Sequence, residues 1–273
     1  MLVPKHRFVA ALVLGLLTAH AVGLARDCRA AGWVNTRQFP PFDVWTEFPL
    51  TEVQDLLAEL AQLQQDLHRD LGVPGAGQWV AVHLFRDKYS YARYLRQHLA
   101  HVPYRRALYV KSQGQGRVYA YRSRELPTDL RHECTHALLH AVLPVVPLWL
   151  DEGLAEYYEM PAAKRSFDNP HLRTLRWNLI FGSAPQLESL EKLGDISEMK
   201  QAEYRNSWAW VHFMLHGPEA ARQELVRYLW EIASGTPPAA LSQRLEQRLP
   251  GTRQRLLAHL KGWKRESWLS AFR

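Results

Sequence analysis

The sequence predicts an α+β protein with a small sheet in a mixed α/β N-terminal half and an all-helical C-terminal half. Segments with the alternating apolar pattern of half-buried strands all lie before residue 128. Beyond that residue, apolar side chains recur every three or four positions, and Gly or Pro separates the periodic segments, as in a series of amphipathic helices. The chain has 273 residues, 47% of them hydrophobic, which is enough for a sizeable core and excludes an intrinsically disordered protein.

The N-terminus has the layout of a secretory signal peptide. Lys5 and Arg7 form a basic start, an apolar run follows from Phe8, and Gly23 and Ala25 are the small residues that favour cleavage after Ala25. We therefore expect a secreted or periplasmic protein. The alternative is an uncleaved membrane anchor, because the apolar run approaches the length that spans a bilayer.

Composition and periodicity divide the chain into a signal peptide at 1–25, a leader segment at 26–43, an α/β subdomain at 44–127 and a helical subdomain at 128–273. The leader has Pro, Gly and Asn without a period and could also be a sheet edge. In the α/β subdomain, Thr51 caps a helix with regular leucine spacing that ends at Gly72. The other predicted elements there are a strand at 44–50, a strand at 79–85, a helix from 87, and strands at 107–111 and 117–122 in a hairpin.

The helical subdomain begins near Thr128, directly after Pro127, since proline is favoured at the start of a helix. Pro144 and Pro147 end this first helix. The further predicted helices lie at 150–160, 171–181, 186–193, 204–215, 220–233, 238–249 and 252–271.

Charge and cysteine content exclude some classes of function. The formal net charge is +7, and loss of the two basic residues of the signal peptide leaves +5. The basic residues are spread along the chain, so nucleic-acid binding is not expected, whereas loose association with a membrane or the cell envelope is compatible with the excess. Cys28 and Cys134 cannot build a disulfide framework, and a bridge between them is not expected. We expect a monomer.

One stretch of the helical subdomain carries residues for catalytic chemistry. His132, Glu133 and His136 form an HExxH motif. Residues four apart on a helix lie on one face, so both imidazoles can bind a single zinc ion with Glu133 beside them as a general base. A catalytic zinc ion takes three protein ligands and keeps one position for water. The motif therefore predicts Zn²⁺ as a cofactor and requires a third ligand.

Local options for the third ligand differ in how well they fit. The metzincin pattern is excluded, because Leu139 and Val142 stand where it requires Gly and His. His140 continues the histidine stripe but drifts around the helix, which favours a place at the helix end or behind a ligand. Glu152 fits best, because the helix break before it lets a second helix pack with this carboxylate facing the histidines.

Two more carboxylates follow Glu152 at helical spacing. Glu156 lies one turn further along and could accept a hydrogen bond from the ring nitrogen of a ligand histidine that does not face the metal. The alternative is that Glu152, Glu156 and Glu159 form a solvated acidic face. Their position after HExxH favours a metal site.

The motif and the segment WLDEGLAEY at 149–157 resemble the peptidase MA-like gluzincins, relatives of aminopeptidase N and thermolysin, and most of all secreted bacterial members of that clan. The specific similarity covers residues 131–158, with weaker similarity at 82–94 and 204–215. It implies a zincin-like metallopeptidase fold. In the family, two histidines and the glutamate of the Glu-Gly pair bind zinc, the HExxH glutamate is the base, and a later carboxylate supports a ligand histidine. These roles fall on His132, His136, Glu152, Glu133 and Glu156, respectively.

The resemblance also suggests how an oxyanion is stabilised. Aminopeptidase-N-like members carry a downstream tyrosine at the head of a helix, and Tyr204 resembles it. The alternative is that Tyr204 only packs with Trp208 and Val211. Arg131 and Arg205 are cations that could serve instead. The sequence departs from aminopeptidase N in its shorter helix-to-helix spacing and in lacking a Gly-x-Met-Glu-Asn segment for a substrate amine, so exopeptidase activity is not supported.

The sequence thus predicts a secreted zinc-dependent metallopeptidase that hydrolyses peptide bonds in a peptide or protein substrate. The alternative is a catalytically inactive, zinc-stabilised module that binds the cell envelope. The presence of Glu133 favours the enzyme, because loss of the general base is the simplest change that inactivates such a site.

Overall fold

The computed structural model describes residues 32–180 and 184–263. The predicted signal peptide, Cys28 and the start of the predicted leader lie outside the described residues. The described chain divides into two compact units. The sheet unit comprises residues 32–144 and 158–160, and the helical unit comprises residues 145–157, 161–180 and 184–263.

A five-stranded sheet with strand order β1-β2-β3-β5-β4 forms the base of the sheet unit. The two outer strands run antiparallel to their neighbours, and the three inner strands are parallel. One edge of the sheet is therefore the antiparallel strand β4, in which Ala107 pairs with Ala120 and Ser112 with Gln115. The strands are β1 (Asn35–Phe39), β2 (Phe42–Thr46), β3 (Val80–Phe85), β4 (Ala107–Ser112) and β5 (Gln115–Tyr121).

The turn between β4 and β5 explains why these strands pair in this register. Gln113 and Gly114 are its two central residues, and both have positive φ, 51° and 83°. Two consecutive residues with positive φ make the two-residue turn that matches the twist of a hairpin. The hairpin predicted from the sequence is confirmed, with a tighter turn than the five-residue connection expected.

Three helices complete the sheet unit: α1 (Gln54–Leu71), α2 (Lys88–His98) and α3 (Leu126–Val142). Gly72 ends α1 in the left-handed region, with φ 68°, where glycine has no steric penalty. The Asp87 side chain caps α2 by accepting hydrogen bonds from the backbone N–H groups of Tyr89 and Ser90. The third helix, α3, packs against β4, β5 and α1. The sheet and α1 therefore fix the helix that carries the HExxH motif.

The helical unit is organised around a long, mostly buried helix. This helix, α7 (Gln201–His216), contacts α5, α6, α8 and α10, and its Trp208 and Phe213 are fully buried. Each buried large aromatic side chain removes an extensive apolar area from water and so contributes strongly to such a core. The helices of the unit are α4 (Leu148–Tyr158, which ends at the unit boundary), α5 (Pro170–Ile180), α6 (Leu187–Leu190), α7, α8 (Glu219–Ala233), α9 (Leu241–Arg248) and α10 (Thr252–Gly262).

The predicted fold class, α+β with a small sheet in the N-terminal half and helices in the C-terminal half, is confirmed. Two boundaries differ from the prediction. The predicted leader contains β1, a short polar strand whose pairing with β2 is not visible in its own sequence. The predicted boundary at 127/128 separates α3 from the sheet, whereas α3 packs on the sheet. Across the described residues, no helix combines the length and apolarity needed to cross a membrane.

Candidate metal centre

The HExxH residues lie in the middle of α3, where both histidines occupy one face. His132 and His136 are one helical turn apart, and their Nε2 atoms are 3.2 Å apart. His136 is buried, and the His132 side chain is 18% exposed. Glu133 follows His132 directly and is partly buried. The helix therefore presents two imidazole nitrogens near one point, whereas the role of Glu133 as the general base stays a prediction.

The distance between the imidazoles fits a zinc ion. Two nitrogens bound at about 2.0–2.1 Å to one tetrahedral zinc ion lie about 3.3 Å apart. The observed Nε2···Nε2 distance of 3.2 Å matches this value. Two unprotonated ring nitrogens at this distance would repel each other unless a proton or a cation lies between them. The donor set and its spacing are therefore suited to a metal.

The tautomer of His132 follows from its second ring nitrogen. Nδ1 of His132 lies 3.1 Å from the Glu159 carboxylate, which can only accept a hydrogen bond when ionised. Nδ1 therefore carries the proton, and Nε2 keeps its lone pair for a metal. Such a carboxylate fixes the ring orientation of a ligand histidine and raises its basicity.

Arg131 holds the backbone that carries Glu159. Its guanidinium donates to the Glu159 carbonyl oxygen (3.2 Å) and forms an ion pair with Glu59 of α1 (2.8 Å). The Arg131 side chain is only 8% exposed. The Tyr158 hydroxyl next to Glu159 donates to Asp70 at 3.0 Å. Arg131, which the sequence offered as an oxyanion cation, thus has a structural partner on α1.

The contact predicted for Glu156 is made by Glu159. Glu156 instead accepts a hydrogen bond from Nε2 of His171, at 2.8 Å, near the start of α5. Asn169 strengthens this connection, because its side chain donates to the Glu156 carbonyl and accepts from the His171 backbone N–H. Glu156 therefore ties α4 to α5 in the helical unit.

The two histidines of the predicted ligand set lie together on α3 in the sheet unit. His140, the alternative third ligand, lies one turn after His136 on the same helix. Glu152 lies on α4 in the helical unit, and its role as the third ligand stays a prediction.

Glu152 lies on a helix that packs unusually closely against α7. A Cβ added to Gly153 would lie 2.9 Å from the backbone C and O of Ser207 and 3.0 Å from Val211. The two helices therefore touch at the residue after Glu152, and only glycine allows this approach. Tyr204 lies in the first turn of α7, three residues before Ser207, so helical spacing puts it on the same side of α7. The role of Tyr204 stays a prediction.

Two residues of strand β4 lie beside His136 and His140. The Tyr109 ring of β4 lies 6.4 Å from the His136 ring and 5.6 Å from the His140 ring. Lys111 donates to the backbone carbonyl of His140 at 2.6 Å. Cys134 is a fully buried free thiol whose pKa is raised by desolvation, so it stays protonated. The edge strand β4 thus lies directly beside the C-terminal half of the motif.

Two residues beyond the predicted site contribute to this region. The sequence predicts Glu159 only as part of an acidic helix face and assigns no role to His171. Helical spacing does mark Glu159, because it lies seven residues, or about two turns, after Glu152. Nothing local marks His171, which meets Glu156 only through the packing of α5 against α4.

No protein-family model and no curated protein matches the sequence significantly. Solved structures of zinc metallopeptidases are similar to this chain. The M1 zinc metallopeptidase from Deinococcus radiodurans matches with a TM-score of 0.47 and 16% identity, over 84% of this chain and 50% of that one. A mutant of that enzyme with a bound Tyr-Ser-Ala substrate matches with a TM-score of 0.44 and 16% identity, over 84% of this chain and 50% of that one. The chain spans about half the length of these structures. Similarity at this level does not assign a function.

Proposed function

We propose that the protein is a secreted zinc-dependent metallopeptidase of gluzincin type, with His132, His136 and Glu152 as metal ligands. The observation that carries this proposal is the 3.2 Å separation of the two Nε2 atoms on the HExxH helix, which suits one tetrahedral zinc ion. Export rests on the signal-like N-terminus alone.

When bound, zinc supplies a Lewis acid that polarises the scissile carbonyl and lowers the pKa of a water molecule to near neutrality. Glu133 would accept a proton from the attacking water while the new C–O bond forms. It would then donate that proton to the leaving amine as the C–N bond breaks. The Tyr204 hydroxyl is proposed to donate a hydrogen bond to the oxyanion.

The edge strand β4 is proposed to bind the substrate. Its outer side has no neighbouring strand in the described sheet. An extended peptide can add to such an edge through backbone hydrogen bonds. Tyr109 lies on this strand beside the rings of His136 and His140, so a peptide paired with β4 would run next to the HExxH helix. This arrangement suits cleavage within a chain.

Substitution of the base tests the mechanism. Glu133→Gln removes proton transfer but leaves both histidines, so the purified variant should keep about one equivalent of zinc while peptide hydrolysis falls by about 10²–10⁴-fold. The measurements are metal content by mass spectrometry and cleavage of a peptide library with and without a chelator.

The matched control is His132→Ala, which should lose both zinc and activity. Full activity of Glu133→Gln would contradict the mechanism. Zinc-dependent melting of the wild-type protein without cleavage of any peptide would favour the zinc-stabilised binding module instead.

A further inference from the structure

Three histidines form a cluster in the helical unit that the proposed function does not use. His212 and His216 lie one turn apart on α7, and His259 comes from α10. His212 is fully buried, and the other two are partly buried. The indole of Trp263, directly after α10, lies against all three rings, with centroid distances of 4.9–5.2 Å. We name these three residues the histidine triad.

The hydrogen bonds of the triad define neutral imidazoles. Nε2 of His212 lies 2.9 Å from the Ser166 carbonyl, which can only accept, so Nε2 carries a proton. Nδ1 of His212 then accepts from Nε2 of His259 at 3.0 Å. With this tautomer of His259, a second proton on His212 would place two N–H groups head to head at 3.0 Å. In this arrangement the hydrogen bond joins two uncharged rings.

The arginines near the triad oppose a positive charge on it. Arg176 of α5 lowers the pKa of His212, and Arg222 of α8 lowers that of His216, because each is itself positively charged. The Tyr157 hydroxyl, 2.7 Å from Nε2 of His216, and the Ser166 hydroxyl are uncharged polar neighbours. Burial lowers the pKa of His216 and of His259 to about 4, and that of His212 well below its ordinary value.

The same cluster attaches the C-terminal helix to the rest of the unit. The Trp263 indole donates to the Ser166 carbonyl at 2.7 Å, and Phe167 stacks on the Trp263 ring at 5.3 Å. Arg176 donates to the carbonyls of Leu260 and Trp263. These contacts and the His212–His259 hydrogen bond hold the end of α10 against α7, α5 and the turn at Ser166.

We propose that the histidine triad is an acid-sensitive latch, which holds α10 and the Ser166 turn against α7 at neutral pH and releases them on acidification. Release lets each imidazole regain water and accept a proton. A group with a lowered pKa in the closed state contributes stability above its ordinary pKa of about 6.5 and loses it as the pH falls towards about 4. Opening is therefore expected between these values.

Hydrogen exchange of the full-length protein tests the latch. For one imidazole with a closed-state pKa of about 4 and an open-state pKa of about 6.5, the opening equilibrium rises about 30-fold between pH 7.5 and pH 5. Protection of α10 amides, corrected for intrinsic exchange, should fall by at least that factor. Helix α1 of the sheet unit should change less than about threefold. Equal loss in α1 and α10, or a change in α10 below about threefold, overturns the proposal.

A matched pair of variants separates the latch from ordinary acid sensitivity. His259→Gln keeps an N–H donor towards His212 but cannot become charged, so the acid response of α10 should shrink by about 30-fold. The control His101→Gln changes an exposed histidine of the sheet unit and should keep the wild-type response. The same response in both variants contradicts the proposal. If His259→Gln does not fold, the comparison of hydrogen exchange in α10 and α1 of the wild-type protein is sufficient to test the proposal.

Discussion

The two histidine clusters of this protein use one side chain in opposite ways. In the HExxH pair, Glu159 accepts the Nδ1 proton of His132 and so directs an Nε2 lone pair towards a cation. In the triad, Arg176 and Arg222 act on the rings, and the lone pairs of His212 and His216 accept hydrogen bonds from neutral groups. A carboxylate that accepts a hydrogen bond from one ring nitrogen prepares the other nitrogen to bind a metal. A buried imidazole without such a carboxylate stays neutral and packs as an uncharged ring.

The largest effect is expected from removal of one imidazole of the HExxH pair. His136→Ala deletes one of the two Nε2 donors, so bound zinc in the purified protein should fall below about a tenth of an equivalent. The control is His140→Ala, because His140 lies one turn further on the same helix and is the alternative third ligand that the sequence offers. This variant should keep its zinc. Zinc loss in His140→Ala as well as in His136→Ala would make His140 a ligand.

A smaller effect is expected from the carboxylate behind His132. Glu159→Gln keeps the shape of the side chain but removes the charge, and zinc affinity measured by competition with a chelator should weaken by about 10–100-fold. Glu156→Gln is the matched variant one turn earlier and should change the affinity by less than about threefold, since Glu156 bonds to His171. The reverse ranking would show that Glu156 supports the metal as the sequence predicts.

The smallest effect tests whether the two clusters are independent. Tyr157→Phe removes the hydroxyl that lies 2.7 Å from Nε2 of His216. Loss of one such hydrogen bond should lower the free energy of unfolding by about 1 kcal/mol at pH 7.5, measured by chemical denaturation. Zinc affinity should stay at the wild-type value. A weakened affinity would mean that the triad and the proposed ligand Glu152 on α4 are energetically coupled.

The parts of the fold and site that could be predicted from sequence are those set by local spacing. The HExxH histidines meet because they are four residues apart on one helix, and the β4–β5 hairpin follows from a short polar connection with glycine. The leucine spacing of α1 and the glycine after it likewise gave a helix close to the observed one.

The remainder depends on contacts between distant segments. The sequence predicts that residues 35–39 belong to a leader segment, because they are mostly polar. They form a strand only through their pairing with β2. Glu156 and Glu159 lie about one turn apart, and the packing of helices decides which one meets His132. The triad joins positions 212 and 259 across 47 residues, a distance that no periodicity reveals.

The contact between Gly153 and the backbone of Ser207 fixes the distance between helices α4 and α7. A residue with any side chain at position 153 would force the helices apart, and the tilt of α4 would carry the Glu152 carboxylate with it. Few substitutions are therefore expected to be tolerated at this position, because each would change the packing of the helix that carries Glu152.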